Sequence, residues 1–142
     1  MKKLTSFVIV VLFTTTIFAQ ASKSGPEIKF EKTVHDYGNV VQGGDGSCEF
    51  VFRNVGNEPL ILSNVASSCG CTVPDWPKNP ILPNQTASIK VKYDTNRLGT
   101  ISKSVTVFSN GTTDRVMLQL RGNVAAKPTE AIPEKPQNAM RP

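Results

Sequence analysis

Two cysteines separated by a single glycine, Cys69-Gly70-Cys71, are the residues of this sequence whose types and spacing could do chemistry. Because alternate residues of an extended chain share a face, both sulfurs project the same way, with their Cα atoms about 6.6 Å apart. A disulfide prefers roughly 5.5–6 Å, and Gly70 permits the kink that would close one, since it lacks a Cβ. A disulfide in so small a ring would be strained and therefore easily reduced.

A third cysteine, Cys48, makes the number of sulfurs odd, so at most one internal disulfide can form. Three interpretations of the corner formed by residues 69–71 stay open. Cys69 and Cys71 could form a local disulfide that stiffens the corner or exchanges with thiols, with Cys48 buried as a small hydrophobe. Their thiolates could instead bind a soft ion, Cu(I) or Zn(II), or one of them could pair with Cys48.

The local disulfide is favoured because the chain carries an export signal, described below, and thiols tend to oxidise outside the cytoplasm. Metal binding is disfavoured by the number of ligands. Structural zinc takes four, and the sequence offers three cysteines and His35, which lies on a distant segment. Copper or zinc at Cys69 and Cys71 is the only cofactor that the sequence suggests.

His35 and Asp36 stand side by side, but the sequence predicts no catalytic site around them. Neighbours in a strand point to opposite faces, so the two side chains cannot orient each other as a dyad without a bulge. A nucleophilic cysteine–histidine pair would need His35 near Cys69 or Cys71, and no motif indicates that. We therefore predict that the protein is not an enzyme.

Trp76 lies between Pro74 and Pro77, in a segment expected to be a loop. A tryptophan at such a position is a candidate ligand contact. The alternative is a lid over one end of a hydrophobic core. We favour the lid, because tryptophan is usually largely buried.

The first 21 residues have the pattern of a secretory signal. Lys2 and Lys3 precede an apolar segment, residues 4–18, and small residues stand at Ala19 and Ala21. We predict cleavage after Ala21, with cleavage after Ala19 as the alternative. The apolar segment is shorter than the ~20 residues of a membrane-spanning helix, so no membrane anchor is expected to remain. The expected location is the periplasm or the cell surface.

Cleavage would also remove two of the 16 basic residues, which lowers the net charge from +5 to +3. No dense basic run remains, so the sequence argues against a nucleic-acid partner. The remaining length allows one domain with a modest core.

Apolar residues recur with period two along most of that length, as in half-buried strands. In residues 87–94, for example, Ala87, Ile89, Val91 and Tyr93 share one face. The pattern predicts an all-β, Ig-like sandwich of about seven strands over residues 26–124. The strands are expected at residues 28–30, 37–41, 47–53, 60–65, 87–94, 101–108 and 115–121. Residues 125–142 are rich in proline and poor in large apolar residues, which predicts a disordered tail.

Several of these segments together resemble a known family. They are residues 35–40 (HDYGNV), 50–56 (FVFRNVG), 59–62 (PLIL), 68–72 (SCGCT) and 91–94 (VKYD), followed by Gly99. Over residues 28–124 the chain resembles uncharacterised bacterial secreted proteins that share a domain of unknown function. That domain is distantly similar to Ig-like domains of the Hydin and PapD types. The resemblance implies an Ig-like fold and a bacterial source but no activity, and Cys48 is not part of the family's pattern.

These observations favour an exported, non-catalytic interaction module of the bacterial cell envelope. Ig-like sandwiches bind through loops and open sheet edges, so the expected partner is an envelope or extracellular protein. The alternative, from another functional class, is a protein that handles thiol redox chemistry or soft metals through Cys69 and Cys71.

Overall fold

The computed structural model describes residues 24–128, which form eight strands and no helix. The predicted signal, residues 1–21, and residues 129–142 of the predicted tail lie outside the described part. Within it, no helix is long and apolar enough to span a membrane. The strands are β1 (Ile28–Phe30), β2 (Val34–Val41), β3 (Ser47–Asn54), β4 (Leu62–Ser67), β5 (Thr72–Asp75), β6 (Thr86–Tyr93), β7 (Gly99–Ser109) and β8 (Arg115–Ala125).

The strands form two four-stranded sheets. Sheet I has the order β1-β3-β6-β5, and sheet II has the order β2-β8-β7-β4. All neighbours pair antiparallel except β2 and β8, which are parallel. The predicted all-β, Ig-like sandwich is therefore confirmed, with eight strands where the sequence predicted about seven. The last strand ends at Ala125, the first residue of the predicted tail.

The core lies between the sheets and follows the alternation seen in the sequence. Phe50 and Phe52 on β3 are fully buried, while Glu49 between Cys48 and Phe50 is exposed. Sheet II contributes Leu118 and other apolar residues that are equally buried. Burying an aromatic or branched side chain of this size contributes about 1.5–3 kcal/mol. Hydrophobic burial on one face of each sheet thus holds the two layers together.

β2 starts earlier than predicted, at Val34, and contains a bulge between Asp36 and Asn39. Gly38 has a φ of 63° there, and its N–H donates a 2.7 Å hydrogen bond to the carboxylate of Asp36. A positive φ of this size favours glycine. The glycine at position 38 therefore allows the bulge in β2.

β5 is the strand that the sequence analysis missed, because Pro74 had suggested a loop. It pairs only with β6 and forms the edge of sheet I. The N–H of Asp94 donates to the carbonyl of Cys71 at 2.9 Å. Because hydrogen-bonded pairs alternate along an antiparallel ladder, the backbone N–H and C=O groups of Cys71, Val73 and Asp75 point toward the neighbouring chain segment that includes β6. Pro74 faces the open edge, where its missing N–H has no partner to lose.

Candidate functional site

The Cys69-Gly70-Cys71 corner is the point where the chain crosses between the two sheets. It follows β4, the edge of sheet II, and precedes β5, the edge of sheet I. The Ser67 hydroxyl donates to the carbonyl of Cys69 at 2.7 Å, and the carbonyl of Cys71 is bonded to β6. Hydrogen bonds on both sides therefore anchor the corner to both layers of the sandwich.

Cys69 and Cys71 are joined in a disulfide, with their Cα atoms 5.3 Å apart. This is closer than the separation expected for a fully extended chain, so the backbone is kinked between them. The kink does not require glycine. Gly70 is outside the positive-φ region, and a Cβ on it would meet nothing within 4 Å. The prediction that the missing Cβ of Gly70 is what permits the kink is therefore wrong.

Cys48 is a buried free cysteine on the inward face of β3. It pairs with Val91, which in turn pairs with Pro74, so two strand spacings and three residues separate Cys48 from Cys71. That amounts to about 14 Å, whereas a disulfide needs Cα atoms within ~7 Å. A disulfide between Cys48 and the corner does not fit this fold. Burial raises the pKa of the Cys48 thiol, which packs as a small hydrophobe.

His35 lies on β2, at the edge of sheet II opposite β4. Its ring is 4.5 Å from that of Tyr37 and 6.4 Å from that of Phe50, measured between centroids. Burial lowers its pKa, and the nearby charge of Lys32 adds to the effect. Three strand spacings, about 14 Å, separate β2 from the strand that leads into the corner. The fold therefore does not bring His35 and the corner cysteines together.

Residues 24–128 contain no group of three or more His, Cys, Asp or Glu side chains placed to hold a metal ion. The corner sulfurs are bonded to each other, so they offer thiolate ligands only after reduction. Binding of copper or zinc by Cys69 and Cys71 stays a prediction for the reduced protein.

Trp76 follows β5 and packs, partly buried, against the hydrophobic core. The Lys78 ammonium lies over its ring, 2.9 Å from the centroid, which is a cation–π contact. A cavity of about 300 Å³, lined also by Pro77 and Lys90, lies beside the ring. The packing is that of a residue covering the core. The ligand contact stays a prediction.

Thr72 is a residue of the corner that the sequence analysis did not identify. Its hydroxyl oxygen is 3.7 Å from the sulfur of Cys69 and 3.9 Å from that of Cys71, and the side chain is buried. Because a disulfide sulfur carries no proton, the hydroxyl is the donor. The position of Thr72 in the sequence does not predict these contacts, because they depend on the turn that brings Thr72 back toward Cys69.

A groove crosses the outer face of sheet I, which the sequence analysis also missed because it did not predict β5. Its volume is about 630 Å³. Val73 on β5 lies at one side of the groove and is 65% exposed. Charged side chains of both signs lie beside this apolar residue, and the two lysines among them stand on β6, along the middle of the groove. The charged residues that line the groove are Glu49, Asp75, Lys90 and Lys92.

Together the sheets define an Ig-like β-sandwich. Similar solved structures include a protein of unknown function from Porphyromonas gingivalis W83, with 16% identity and a TM-score of 0.63 over 76% of this chain and 51% of that chain. The PapD-like domain 7 of human CEP192 has 7% identity and a TM-score of 0.61 over 89% and 100%. The YadV chaperone has 16% identity and a TM-score of 0.53 over 69% and 52%.

The chain belongs to the family described as "Protein of unknown function (DUF1573)", which matches residues 28–124. No curated protein matches the sequence. The chain spans about half of the Porphyromonas protein and 23% and 32% of two Vibrio cholerae proteases, VesC and VesB. At the identities found, these likenesses show the fold alone.

Proposed function

We propose that this protein is an exported, non-catalytic binding module of the bacterial cell envelope, and that its partner is another envelope or extracellular protein. The observation that carries the proposal is the open groove on the outer face of sheet I, with Val73 exposed at its side. Protein-binding sites typically combine exposed apolar side chains with polar and charged groups beside them. The fold shared with a chaperone and with PapD-like domains supports the same class of function.

The partner is expected to dock on the face of sheet I. The open edge of β5 is a poor template for an added strand, because Pro74 lacks an N–H and the N–H of Thr72 is turned to the carbonyl of Cys69. The partner segment should place an apolar side chain against Val73. It should also carry an acidic group to pair with Lys90 and a basic group to pair with Asp75, both of which line the groove.

A photo-crosslinking residue at position 73 tests this proposal. The matched control is position 117, because Met117 is 58% exposed on the outer face of sheet II. We expect a discrete adduct in envelope extract from position 73 and none from position 117. The partner identified from the adduct should bind the purified protein at least about tenfold more weakly after Val73→Asp, and equally well after Met117→Asp. Adducts of equal yield at both positions, or none at position 73, would contradict the proposal.

A second candidate function, thiol redox chemistry, is supported by the disulfide that joins two residues of one corner. Intact-mass measurement with thiol labelling, before and after a mild thiol reductant, tests it. We expect two labels after reduction, both on the corner, with Cys48 unlabelled in the folded protein. A corner that resists reduction would remove this function. Metal analysis of the reduced protein would test binding of copper or zinc.

A further inference from the structure

We propose that the corner disulfide exchanges with small thiols by a directed route, in which Cys69 is the sulfur attacked and Cys71 is the leaving group. The hydroxyl of Thr72 and the ammonium of Lys103 stabilise the thiolates. This inference rests on the second candidate function and assigns a role to each residue of that site.

Access to solvent distinguishes the two sulfurs. Cys71 is buried, at 4% exposure, whereas Cys69 is only partly buried. Exchange requires a thiolate to approach the attacked sulfur directly, so access decides which sulfur reacts. An incoming thiol therefore meets Cys69. The partial burial of Cys69 between two sheet edges favours a small thiol over a cysteine on a folded protein.

Thr72 can donate a hydrogen bond to either sulfur. Its hydroxyl oxygen lies 3.7 Å from the sulfur of Cys69 and 3.9 Å from that of Cys71. A hydrogen bond to a charged group is stronger than one to a neutral group, so the same contact gains strength when Cys71 leaves as a thiolate. Thr72 is buried, and this position excludes competing water.

The register of β4 and β7 brings Lys103 close to the residue that precedes Cys69. Ser67 pairs with Val105, and the N–H of the next residue, Ser68, donates to the carbonyl of Ser104 at 2.9 Å. Ser68 and Lys103 line the same cavity. We infer from this placement that the ammonium of Lys103 can reach the sulfur of Cys69.

Lys103 occupies an inward-facing position of β7. Ile101 and Val105, two residues away on either side, are buried core residues, yet Lys103 is only partly buried. Long cationic side chains at such positions run their stems along the core and hold the charge at its rim. A neighbouring ammonium favours the ionised form of a cysteine, so Lys103 would stabilise the thiolate of Cys69.

The exchange balances in two steps. A thiolate of a small thiol attacks the Cys69 sulfur, a mixed disulfide forms, and the Cys69–Cys71 bond breaks with its electron pair on Cys71. A second thiolate attacks the small-thiol sulfur of the mixed disulfide and releases the thiolate of Cys69. Overall, two small thiols are oxidised to their disulfide, and the protein disulfide is reduced to two thiols.

Trapping with glutathione tests the direction of attack on the full mature protein. We expect peptide mapping of the quenched intermediate to find glutathione on Cys69. Glutathione on Cys71, or equally on both, would overturn the assignment while leaving the redox function intact. A disulfide that glutathione cannot reduce would instead remove the redox function itself. A parallel reaction with a reduced protein thiol should be slower, and a faster one would overturn the preference for small thiols.

Two variants test the supporting residues. Thr72→Val should slow reduction by glutathione about tenfold, as expected for the loss of one hydrogen bond to a charged group, and Thr72→Ser should restore it. In a Cys71→Ser background, Lys103→Gln should slow alkylation of Cys69 near neutral pH about tenfold, because less of the thiol is ionised. Lys29→Gln is the matched control, because Lys29 is exposed on β1, at the edge of sheet I opposite β5. Unchanged rates in variants that retain the wild-type circular dichroism spectrum would overturn these roles.

Discussion

Asn54 is a buried polar residue that ties several segments of the domain together. Its side-chain oxygen accepts hydrogen bonds from the N–H groups of Glu27 and Gly56, at 3.3 and 3.0 Å. Its side-chain nitrogen donates to the carbonyls of Glu58 and Ile81, at 2.7 and 2.9 Å. The amide therefore uses its full capacity of two donated and two accepted bonds.

Asn54→Ala should lower the free energy of unfolding by about 3–5 kcal/mol, because it leaves several backbone groups without partners inside the protein. Urea denaturation followed by circular dichroism measures the change. Asn64→Ala is the matched control, since Asn64 is exposed on β4, and it should change the value by less than ~0.5 kcal/mol. Equal effects of the two substitutions would show that the Asn54 network contributes little.

His35 is the one histidine of the sequence, so it dominates any change in stability between pH 7 and pH 5. Burial and Lys32 lower its pKa in the folded protein. The unfolded chain then binds a proton more readily, and stability should fall as the pH drops below the ordinary value of about 6.5. Urea midpoints measured across this range should shift in the wild type but stay level in His35→Gln. A wild-type midpoint that is constant or rises on acidification would refute the direction.

The edge strands limit pairing between molecules through their length and irregularity. β1 has three residues, β5 has four and contains Pro74, and β2 carries the bulge at Gly38. Edge strands that are short, bulged or proline-containing resist addition of further strands. The position of β5 at the edge of sheet I therefore explains why a strand contains Pro74, a residue that predicted a loop.

Pro74→Thr should increase self-association, because it places an N–H group on the open edge of β5. The fold should persist, since threonine suits a strand. Light scattering coupled to size-exclusion chromatography, over a range of protein concentrations, measures the effect. Pro77→Thr, which lies beyond the end of β5, should leave the protein as it was. If both variants self-associate to the same extent, Pro74 does not protect the open edge of β5.

At the scale of the whole molecule, two layers are joined where the chain crosses from β4 to β5 at the disulfide. A disulfide is best maintained in an oxidising compartment, so this bond supports the export that the N-terminal pattern predicts.

Intact-mass measurement of protein from a fractionated bacterium tests the export proposal. The envelope or secreted fraction should contain a chain that begins at Ser22, or at Gln20 if cleavage follows Ala19. Its mass should be two hydrogens below that of the reduced form, because of the corner disulfide. A full-length chain in the cytoplasm, with free thiols, would count against both export and oxidation.

The sequence by itself determined the fold class and most of the strands. Alternation is a local property, so residues 87–94 showed directly which side chains face the core. β6 buries Ile89, Val91 and Tyr93 and partly buries Ala87. The Cys69-Gly70-Cys71 corner was visible for the same reason, because its three residues are adjacent.

Only the tertiary structure decided what surrounds the corner. Lys103 shares a cavity with Ser68, the residue before Cys69, because of the register between β4 and β7. Cys48 lies far from the corner because of the strand order in sheet I. β5 is a strand because β6 pairs with it on the side where Pro74 needs no N–H. Strand order depends on which segments, tens of residues apart, pair with one another. Alternation within one segment shows which of its residues face the core but does not name its partner strand.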